Sequence, residues 1–473
     1  MKRIIILLAA WLFLTPVEGQ DAVWKPWAFA QEAPKREVRG VWLTTLWGLD
    51  WPTMRGTGQS IMARQKEQLC NILDELQRDG INTVFLQTRV RGTVIYPSRI
   101  EPWDACLTGT EGKNPGWDPL AFAVEECHKR GMELHAWVVT LPMGKKQSQK
   151  VVRAMKLMRH DGAYYMDPTR QETAYFIANI CREIVTQYDV DGIHFDYIRY
   201  PELFPRKRQR PELITRIVRQ SHDAIKAVKP WIRFSCSPIG KAGDLVRQSA
   251  RGWSSEAVGQ DAVGWMREGL MDMLCPMMYF RGEIFYPFAA DWQERCGGHG
   301  IIAPGMGIYF LSPSEKNWSL EIITRELSFA RHLGLGGAVY FREKFLRENH
   351  KGLRTWLRDK FYSTPALPPV LGTADSIASP TITGQSHRDT QGIISVEGGD
   401  RYVLYASDSE PVDTECPANI VKTVYGNTDG RHKADITYDM LTVRAFGLHL
   451  AVTALDRYGR ESEPVKVTLN IEH

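Results

Sequence analysis

A short segment near the middle of the chain, residues 191–201 with the sequence DGIHFDYIRYP, holds the side chains best suited to chemistry. The pattern is typical of a β-strand, in which every second side chain points the same way. His194 and Asp196 therefore share one face of the predicted strand. A carboxylate and an imidazole at the end of a buried strand can transfer protons in a reaction. The alternative is that Asp196 forms a buried ion pair with Arg199 or Arg89.

The elements that must position this segment repeat along most of the chain. From residue 39 to about residue 361, short apolar runs alternate with longer amphipathic ones, which gives about eight strand–helix units in roughly 325 residues. The predicted strands are 41–45, 82–87, 133–139, 191–196, 232–237, 271–278, 301–306 and 337–341. Such alternation implies parallel strands joined by helices, and eight units of this length favour an α/β fold of the (β/α)8 or TIM-barrel type. No GxGxxG motif follows the first strand, which disfavours a dinucleotide-binding sheet.

In a TIM barrel the active site lies at the carboxyl ends of the strands. Asp191 lies at the other end of its strand, so we expect it to have a structural role. The carboxyl ends carry aromatic, amide, guanidinium, imidazole and carboxylate side chains. The residues that we expect to contact a substrate there are Trp47, Asp50, Gln87, Arg89, His135, Trp137, His194, Arg199, Tyr200, Tyr279 and Tyr309.

These residue types indicate a sugar as the ligand. The chain has no HExxH motif or three-histidine set for zinc, no GxSxG motif and no phosphate-binding loop, so we expect neither a metal nor a cofactor. The apolar face of a sugar ring packs on Trp or Tyr, and its hydroxyls bond to polar side chains. The pattern therefore favours a protein that binds or cleaves a polysaccharide.

Cleavage of a glycosidic bond requires two carboxyl groups, one as acid and the other as base or nucleophile. Asp196 is the first candidate. For the second, we prefer Glu283 in the loop after the sixth strand, with Asp50 and Glu343 as alternatives. Whether the reaction retains or inverts configuration depends on the distance between the two groups and stays open. Because the second group is not obvious, a carbohydrate-binding protein on a degenerate barrel is the alternative function.

Three segments together resemble a known family. They are residues 39–45 with 49–52 (RGVWLTT and LDWP), residues 84–89 continuing to 96–98, and residues 191–201. They are similar to the family-10-like glycosyl-hydrolase TIM-barrel proteins of bacterial envelopes, some of which cut peptidoglycan glycan strands stripped of stem peptides. The resemblance implies carbohydrate hydrolysis, places the fourth-strand acid at Asp196, and adds Arg39 to the expected substrate contacts. One position departs from the family, since relatives usually have Asn where this chain has Val139.

The ends of the chain predict export and an accessory domain. Residues 1–19 combine Lys2 and Arg3 with an apolar run, as a secretory signal peptide does, so we expect a periplasmic or extracellular protein. Residues 20–38 form a lead, 39–362 the barrel, and 363–371 a Pro-rich linker. Residues 372–473 predict a small all-β sandwich, and the stretch 451–464 resembles the last hairpin of fibronectin type III domains. This domain gives a third hypothesis, docking to an envelope partner.

Composition narrows the possible partners. The 473 residues carry a net charge of +4, which gives no general attraction to nucleic acid or to a membrane surface. No later run of about 18 apolar residues predicts a membrane span, and we expect a monomer. The chain has nearly as many Trp residues (15) as Tyr (17) or Phe (17). No Trp lies beyond Trp356, so none belongs to the predicted sandwich, which suggests a role for Trp in sugar binding by the barrel. The basic run 206–210 (RKRQR), predicted on the active-site side, is either a solvated loop or an attractant for an anionic glycan.

Overall fold

The computed structural model describes residues 33–145, 155–373, 375–388, 390–427, 432–440, 443 and 449–468. The predicted signal peptide, residues 1–19, and most of the predicted lead lie outside these ranges. Within the described residues, no helix is both long and apolar enough to cross a membrane.

The first two thirds of the chain form a parallel sheet and a small three-stranded insertion after residue 139, which we call the excursion. The strands, in chain order, are β1 (Val38–Leu43), β2 (Thr83–Arg89), β3 (Glu133–Val139), β4 (Pro142–Gly144), β5 (Leu157–His160), β6 (Ala163–Met166), β7 (Gly192–Asp196), β8 (Arg233–Cys236), β9 (Met273–Leu274), β10 (Ile301–Ile302), β11 (Gly305–Met306) and β12 (Gly337–Tyr340). Nine of them form one sheet in the order β10-β9-β8-β7-β3-β2-β1-β12-β11, and every pairing is parallel.

The sheet closes on itself through its two end strands. β10 and β11 are halves of one strand, separated only by Ala303 and Pro304. The Ala303 N–H donates to the carbonyl of Leu274 at 2.9 Å, and the Val339 N–H donates to the carbonyl of Pro304 at 3.0 Å. The interrupted strand is therefore bonded on both sides, and the ring has eight strand positions. The predicted TIM-barrel fold is confirmed.

Helices surround the ring. They are α1 (Gln59–Arg78), α2 (Ala105–Thr108), α3 (Pro119–Lys129), α4 (Gln171–Gln187), α5 (Pro211–Lys226), α6 (Ala262–Arg267), α7 (Phe285–Cys296), α8 (Leu320–His332), α9 (Glu343–Arg347) and α10 (Leu353–Trp356). Local sequence determines where α3 begins, because Asp118 accepts the N–H groups of Leu120 and Ala121 at 3.1 and 3.0 Å and Pro119 fills the first helical position. The other large helices bury one apolar face against the sheet.

Large side chains fill the inside of the ring. Trp42, Phe85, Trp137 and Val339 belong to one buried cluster formed by inward-pointing residues of the strands. A barrel interior of this kind is a packed core rather than a pore. A ligand can therefore enter only above this layer, at the rim of the barrel.

A three-stranded antiparallel sheet, β4-β6-β5, follows β3 at the carboxyl end of the barrel. The sequence pattern did not predict it, because its strands are three or four residues long and only partly buried. Tyr164 and Tyr165 of β6 lie beside the carboxyl ends of the barrel strands.

The C-terminal region contains two antiparallel sheets. One has the order β13 (Thr381–Arg388), β14 (Gln391–Glu397), β17 (Ala434–Asp439), and the other β16 (Ile420–Tyr425), β15 (Arg401–Ser407), β18 (His449–Leu455), β19 (Val465–Val467). Ile394 and Ile436 of the first sheet share a core with Leu404 and Val452 of the second. The predicted all-β sandwich is thus present, whereas the fibronectin type III resemblance stays a prediction.

The barrel and the sandwich are joined at the amino end of the strands. Asp191, for which we expected a structural role, has its carboxylate 2.9 Å from Nε2 of His128 and accepts the hydroxyl of Tyr425 at 3.2 Å. The predicted linker is also held in place, since the N–H of Leu367 donates to the carbonyl of Lys35 at 2.8 Å. The accessory domain therefore packs on the face opposite the barrel rim.

Candidate active site

A cavity of about 530 Å³ opens at the carboxyl ends of the barrel strands. Three of the residues expected to contact a substrate, Gln87, Trp137 and Tyr279, line it together with the candidate acid Asp196. A larger hollow of about 760 Å³ lies between α3 and the sandwich strands β16 and β17, near the amino end of β3. We place the candidate site in the smaller cavity because it contains the strand ends on which this fold carries its chemistry.

Asp196, the last residue of β7, is 7% exposed at the floor of this cavity. Its Oδ1 accepts the N–H of Tyr197 at 2.7 Å and the hydroxyl of Ser237 at 3.1 Å. Burial raises the pKa of the Asp196 carboxyl group, although Arg199 and these two hydrogen bonds act in the opposite direction. A carboxyl group with a raised pKa can hold the proton that a leaving group needs.

A second carboxylate, Glu202, lines the same cavity. Arg199 lies between the two acids, with Nη2 3.0 Å from Oε1 of Glu202 and Nη1 4.0 Å from Oδ1 of Asp196. The side chain of Glu202 is 44% exposed, whereas that of Asp196 is 11% exposed. One carboxyl group is therefore largely removed from water, while the other is solvated and paired with a cation.

Aromatic rings form the wall beside Asp196. Tyr279 and Phe341 face each other with ring centroids 5.5 Å apart, and both line the cavity. Tyr197 lines it as well and has a φ of 54°, a left-handed conformation that is uncommon for a bulky residue. The guanidinium of Arg199 lies 4.1 Å from the Tyr197 ring centroid. These rings offer the flat apolar surfaces on which a sugar can pack.

Two cations also line the cavity. Arg91 follows β2 and Lys145 follows β4, and both are exposed residues that line the cavity. Tyr164 and Tyr165 of the excursion line it as well. The cavity therefore combines two carboxylates, several aromatic rings and positive charge at its edge.

Gln87 and Asp50 hold the rim of the cavity in shape. The side-chain oxygen of Gln87 accepts the N–H groups of Thr45 and Leu46 at 3.1 and 2.8 Å. Asp50 is fully buried and is bonded to Arg342, a residue that does line the cavity. Asp50 itself does not line it, so its position is that of a support for Arg342.

The two histidines lie below the cavity, inside the barrel. The indole N–H of Trp42 donates to Nε2 of His194 at 3.2 Å, and Nδ1 of His194 lies 2.9 Å from the hydroxyl of Ser235. Burial keeps the pKa of His194 well below its usual value, so the ring is neutral. His135 is also fully buried, 3.3 Å from Glu133. Neither ring lines the cavity.

Arg89 points between strands rather than into the cavity. It is fully buried and forms two hydrogen bonds with Glu101, at 2.7 and 2.6 Å. It also donates to the carbonyls of Val139 and Thr140. Its contacts therefore connect the end of β2 to the end of β3, and a substrate cannot reach its guanidinium.

Arg39 and Tyr200 are also placed away from the cavity. Arg39 lies at the amino end of the barrel, paired with Glu37 at 2.8 Å and donating to the carbonyl of Thr364 at 2.6 Å. Tyr200 is buried, and its hydroxyl accepts the N–H of Arg210 at 3.1 Å. Arg39 thus fixes the linker, and Tyr200 fixes the loop after β7.

The preferred second acid, Glu283, is an exposed loop residue outside the lining of the cavity. Glu343 is buried and paired with Arg347, and burial raises its pKa to about 7, but it does not line the cavity either. Trp47 is 65% exposed, and its ring lies 5.4 Å from the guanidinium carbon of Arg91, beside the cavity. Tyr309 packs edge-on against Tyr279, at 5.8 Å, behind the aromatic wall.

Sequence reasoning missed Glu202 and the residues of the excursion. Glu202 is the first residue after the segment 191–201. Asp196, Arg199 and Glu202 follow one another at intervals of three residues. That acid–base–acid spacing, directly after a predicted strand end, is the signal by which it could have been found. Among the described residues, no group of three or more His, Cys, Asp or Glu side chains is arranged to hold a metal ion.

Known proteins resemble this chain over the barrel. Residues 37–209 and 202–296 match the family model described as glycosyl hydrolase-like 10. The glycosyl hydrolase YngK of Bacillus subtilis (strain 168) is 30% identical over 388 residues, which are 72% of this chain and 75% of that protein. The glycosyl hydrolase DigH of Escherichia coli (strain K12) is 31% identical over 417 residues, which are 74% of this chain and 94% of that protein.

One solved structure that aligns with this chain is a glycoside hydrolase domain. The glycoside hydrolase domain of PgaB (BpsB) from Bordetella bronchiseptica aligns with a TM-score of 0.48 and 15% identity, covering 68% of this chain and 98% of that domain. The family match spans more than half of the chain, and the two relatives are 30% and 31% identical to it over 72% and 74% of its length. The chain belongs to the glycosyl hydrolase-like 10 family.

Proposed function

We propose that this protein is an exported glycoside hydrolase in which Asp196 and Glu202 are the two carboxyl groups of the reaction. The observation that carries the proposal is that both acids line one cavity at the carboxyl ends of the barrel strands, on either side of Arg199. Family membership supports a glycosidase in general terms. The residue assignment rests on the geometry of the cavity.

The two environments favour different roles for the two acids. Burial raises the pKa of Asp196, which suits a general acid that protonates the leaving oxygen. Glu202 is solvated and bonded to Arg199, which suits the charged form needed for a base or nucleophile. Arg199 lies between the two acids, so its positive charge stabilises whichever of the two carboxyl groups is ionised during the reaction.

The substrate that we propose is a polysaccharide of the bacterial envelope, with peptidoglycan glycan strands as the leading example. Strands without stem peptides carry free carboxylates on alternate sugars. Arg91 and Lys145 at the edge of the cavity supply matching positive charge. Tyr279 and Phe341 supply the aromatic surface for a sugar ring. The signal-like residues 1–19 support export to the periplasm or beyond.

A glycan panel tests this proposal. The purified full chain is incubated with peptidoglycan strands that carry stem peptides, with strands that lack them and with neutral polysaccharides, and products are identified by mass spectrometry. We expect new reducing ends from the strands that lack stem peptides, and none when Asp196→Asn replaces the wild type. Binding to a glycan without any release of reducing ends would instead establish the alternative, a carbohydrate-binding protein.

A further inference from the structure

Two loops on the rim of the barrel carry a cluster of basic residues that the cavity does not use. The loop after β7 contributes the exposed residues Arg206, Lys207, Arg208 and Arg210, and the loop after β8 contributes Arg247 and Arg251. The hydrogen bond from Nη2 of Arg206 to the carbonyl of Gly252, at 3.1 Å, connects the two loops. We call these six side chains the basic rim.

The charges of the basic rim are only partly offset by neighbouring acids, since the carboxylate of Asp244 lies near Arg206. None of the six forms an ion pair with a carboxylate of the part of the chain that the structure describes, although most buried arginines of the barrel do. Arg206 and Arg210 donate only to carbonyl groups, and Arg208 lies over the ring of Phe204. Of the nearby acids, Glu256 is paired with Arg295, and Asp244 accepts from Ser249 and Ala250. The protein as a whole carries only +4, so this concentration is local.

The basic rim surrounds a surface suited to a polar chain. A hollow of about 330 Å³ lies between the two loops, lined by Arg206, Gln209 and Ser254 and by two carboxylates, Asp244 and Glu256, of which Glu256 is paired with Arg295. The indole of Trp253 is 38% exposed beside it. Cations, amide and hydroxyl groups next to an exposed aromatic plate match the carboxylates, hydroxyls and apolar faces of an acidic sugar.

The basic rim also lies close to the cavity along the chain. Glu202 lines the cavity, and Arg206 follows it by four residues on the same loop. Four residues span at most about 14 Å, so the basic rim lies within reach of a glycan strand that extends from the cavity beyond the reacting bond. Unpaired cations at such a position attract an anionic polymer before it docks and retain it afterwards.

We propose that the basic rim is a distal binding site for an acidic polysaccharide strand, separate from the cavity that holds the reacting sugars. This inference rests on the proposed function for the choice of ligand. A site of this kind holds long strands with carboxylates and discriminates against short or neutral ones. It gives the enzyme a preference for polymer over small oligosaccharides.

The test compares two ligands that differ only in charge. Full-length Asp196→Asn protein is titrated with peptidoglycan glycan strands that have free lactyl carboxylates and with the same strands after methyl esterification of those groups. We expect the free-acid strands to bind at least about tenfold more tightly at low salt, with the difference shrinking as salt is raised. The variant Arg206→Glu/Arg208→Glu reduces this preference to the part that Arg91 and Lys145 of the cavity supply, and leaves the affinity for esterified strands unchanged.

Matched controls make the result specific. Arg64→Glu/Arg182→Glu changes the net charge by the same amount on helices α1 and α4, where both side chains are exposed, and is expected to leave both affinities unchanged. Arg251→Glu and Trp253→Ala act from the second loop and weaken binding of the free-acid strands. Circular dichroism of each variant shows that the fold is intact.

Several outcomes would overturn the proposal. The first is equal affinity for the two ligands, and the second is an equal loss of affinity in the rim and control variants. The third is rim-dependent binding to vesicles of anionic phospholipid in place of the glycan. The exposed side chains of Leu203 and Val246 would then explain that membrane binding. The proposed function can fail separately. If the wild-type protein releases no reducing ends but binds free-acid strands through the basic rim, hydrolysis is refuted and the distal site is retained.

Discussion

Ser237 donates its hydroxyl to Oδ1 of Asp196 over 3.1 Å. The N–H of Tyr197 donates to the same oxygen at 2.7 Å. These two donors stabilise the charged form of the carboxyl group, as does the Trp137 side chain beside it. The hydrogen bonds from Ser237 and Tyr197 thus orient the carboxyl group. They also lower its pKa, because hydrogen bonds to the charged form act against the effect of burial.

Replacing Ser237 by Ala removes one of these donors. The charged form of Asp196 is then less stabilised, so its pKa rises further and the group stays protonated at higher pH. If Asp196 is the general acid, the high-pH limb of the kcat/KM profile moves to higher pH. Ser328→Ala, a buried serine on α8, is the control that leaves the profile in place. A shift of the limb to lower pH would contradict this role.

The neutral His194 makes stability depend on pH. Its pKa in the folded protein lies well below the value near 6.5 of an unfolded chain, so below about pH 6.5 the unfolded state binds the extra proton. The stabilisation present above that pH is lost as the pH falls, by up to about 1.4 kcal/mol per unit. Urea denaturation between pH 8 and pH 5 is expected to show a shallower loss for His194→Gln than for wild type. The control His222→Gln, at a partly exposed histidine of α5, is expected to keep the wild-type slope. Equal slopes for all three proteins would refute the assignment.

Arg89 is expected to matter for folding rather than for substrate binding. Arg89→Met leaves Glu101 buried without its partner, which costs about 3–5 kcal/mol in the free energy of unfolding. The double variant Arg89→Met/Glu101→Leu recovers a large part of this loss, because no isolated charge remains. Chemical denaturation of the wild type, the Arg89→Met variant and the double variant measures their free energies of unfolding. An Arg89→Met protein of unchanged stability but raised KM would show that Arg89 contacts the substrate after all.

Arg91 is expected to contribute to substrate preference. Arg91→Gln removes a cation from the edge of the cavity and raises KM for glycan strands with free carboxylates by about three- to tenfold, with little change in kcat. The same change leaves KM for methyl-esterified strands unaltered. Arg99→Gln, another exposed arginine after β2, is the control. An equal rise in KM for both ligands would mean that Arg91 does not recognise charge.

The sequence pattern was sufficient for the barrel and for the position of Asp196 at a strand end, but not for the partners of the charged residues. Strand–helix alternation and the two-residue spacing of His194 and Asp196 are local properties, and both are visible in the sequence. Whether Arg39 faces a substrate or the linker depends on Thr364, 325 residues away along the chain. Such contacts are set by tertiary packing, which residue types alone do not reveal.

Tryptophan frequency is a second example. Trp42, Trp51, Trp265 and Trp292 are almost completely buried, and Trp137 is the one tryptophan among the described residues that line the cavity. Most of the excess is therefore used to fill the barrel and its helical layer. Large flat side chains serve both purposes, and only their burial distinguishes core packing from sugar binding.

The central claim is that Asp196 and Glu202 act together on the glycosidic bond. The direct measurement is kcat for release of reducing ends by Asp196→Asn, Glu202→Gln and Glu283→Gln on the same polysaccharide. We predict that the first two variants lose activity by about 100-fold or more while remaining folded, and that Glu283→Gln retains wild-type activity, because Glu283 lies outside the cavity lining. Full activity in Glu202→Gln together with a comparable loss in Glu283→Gln would contradict the account.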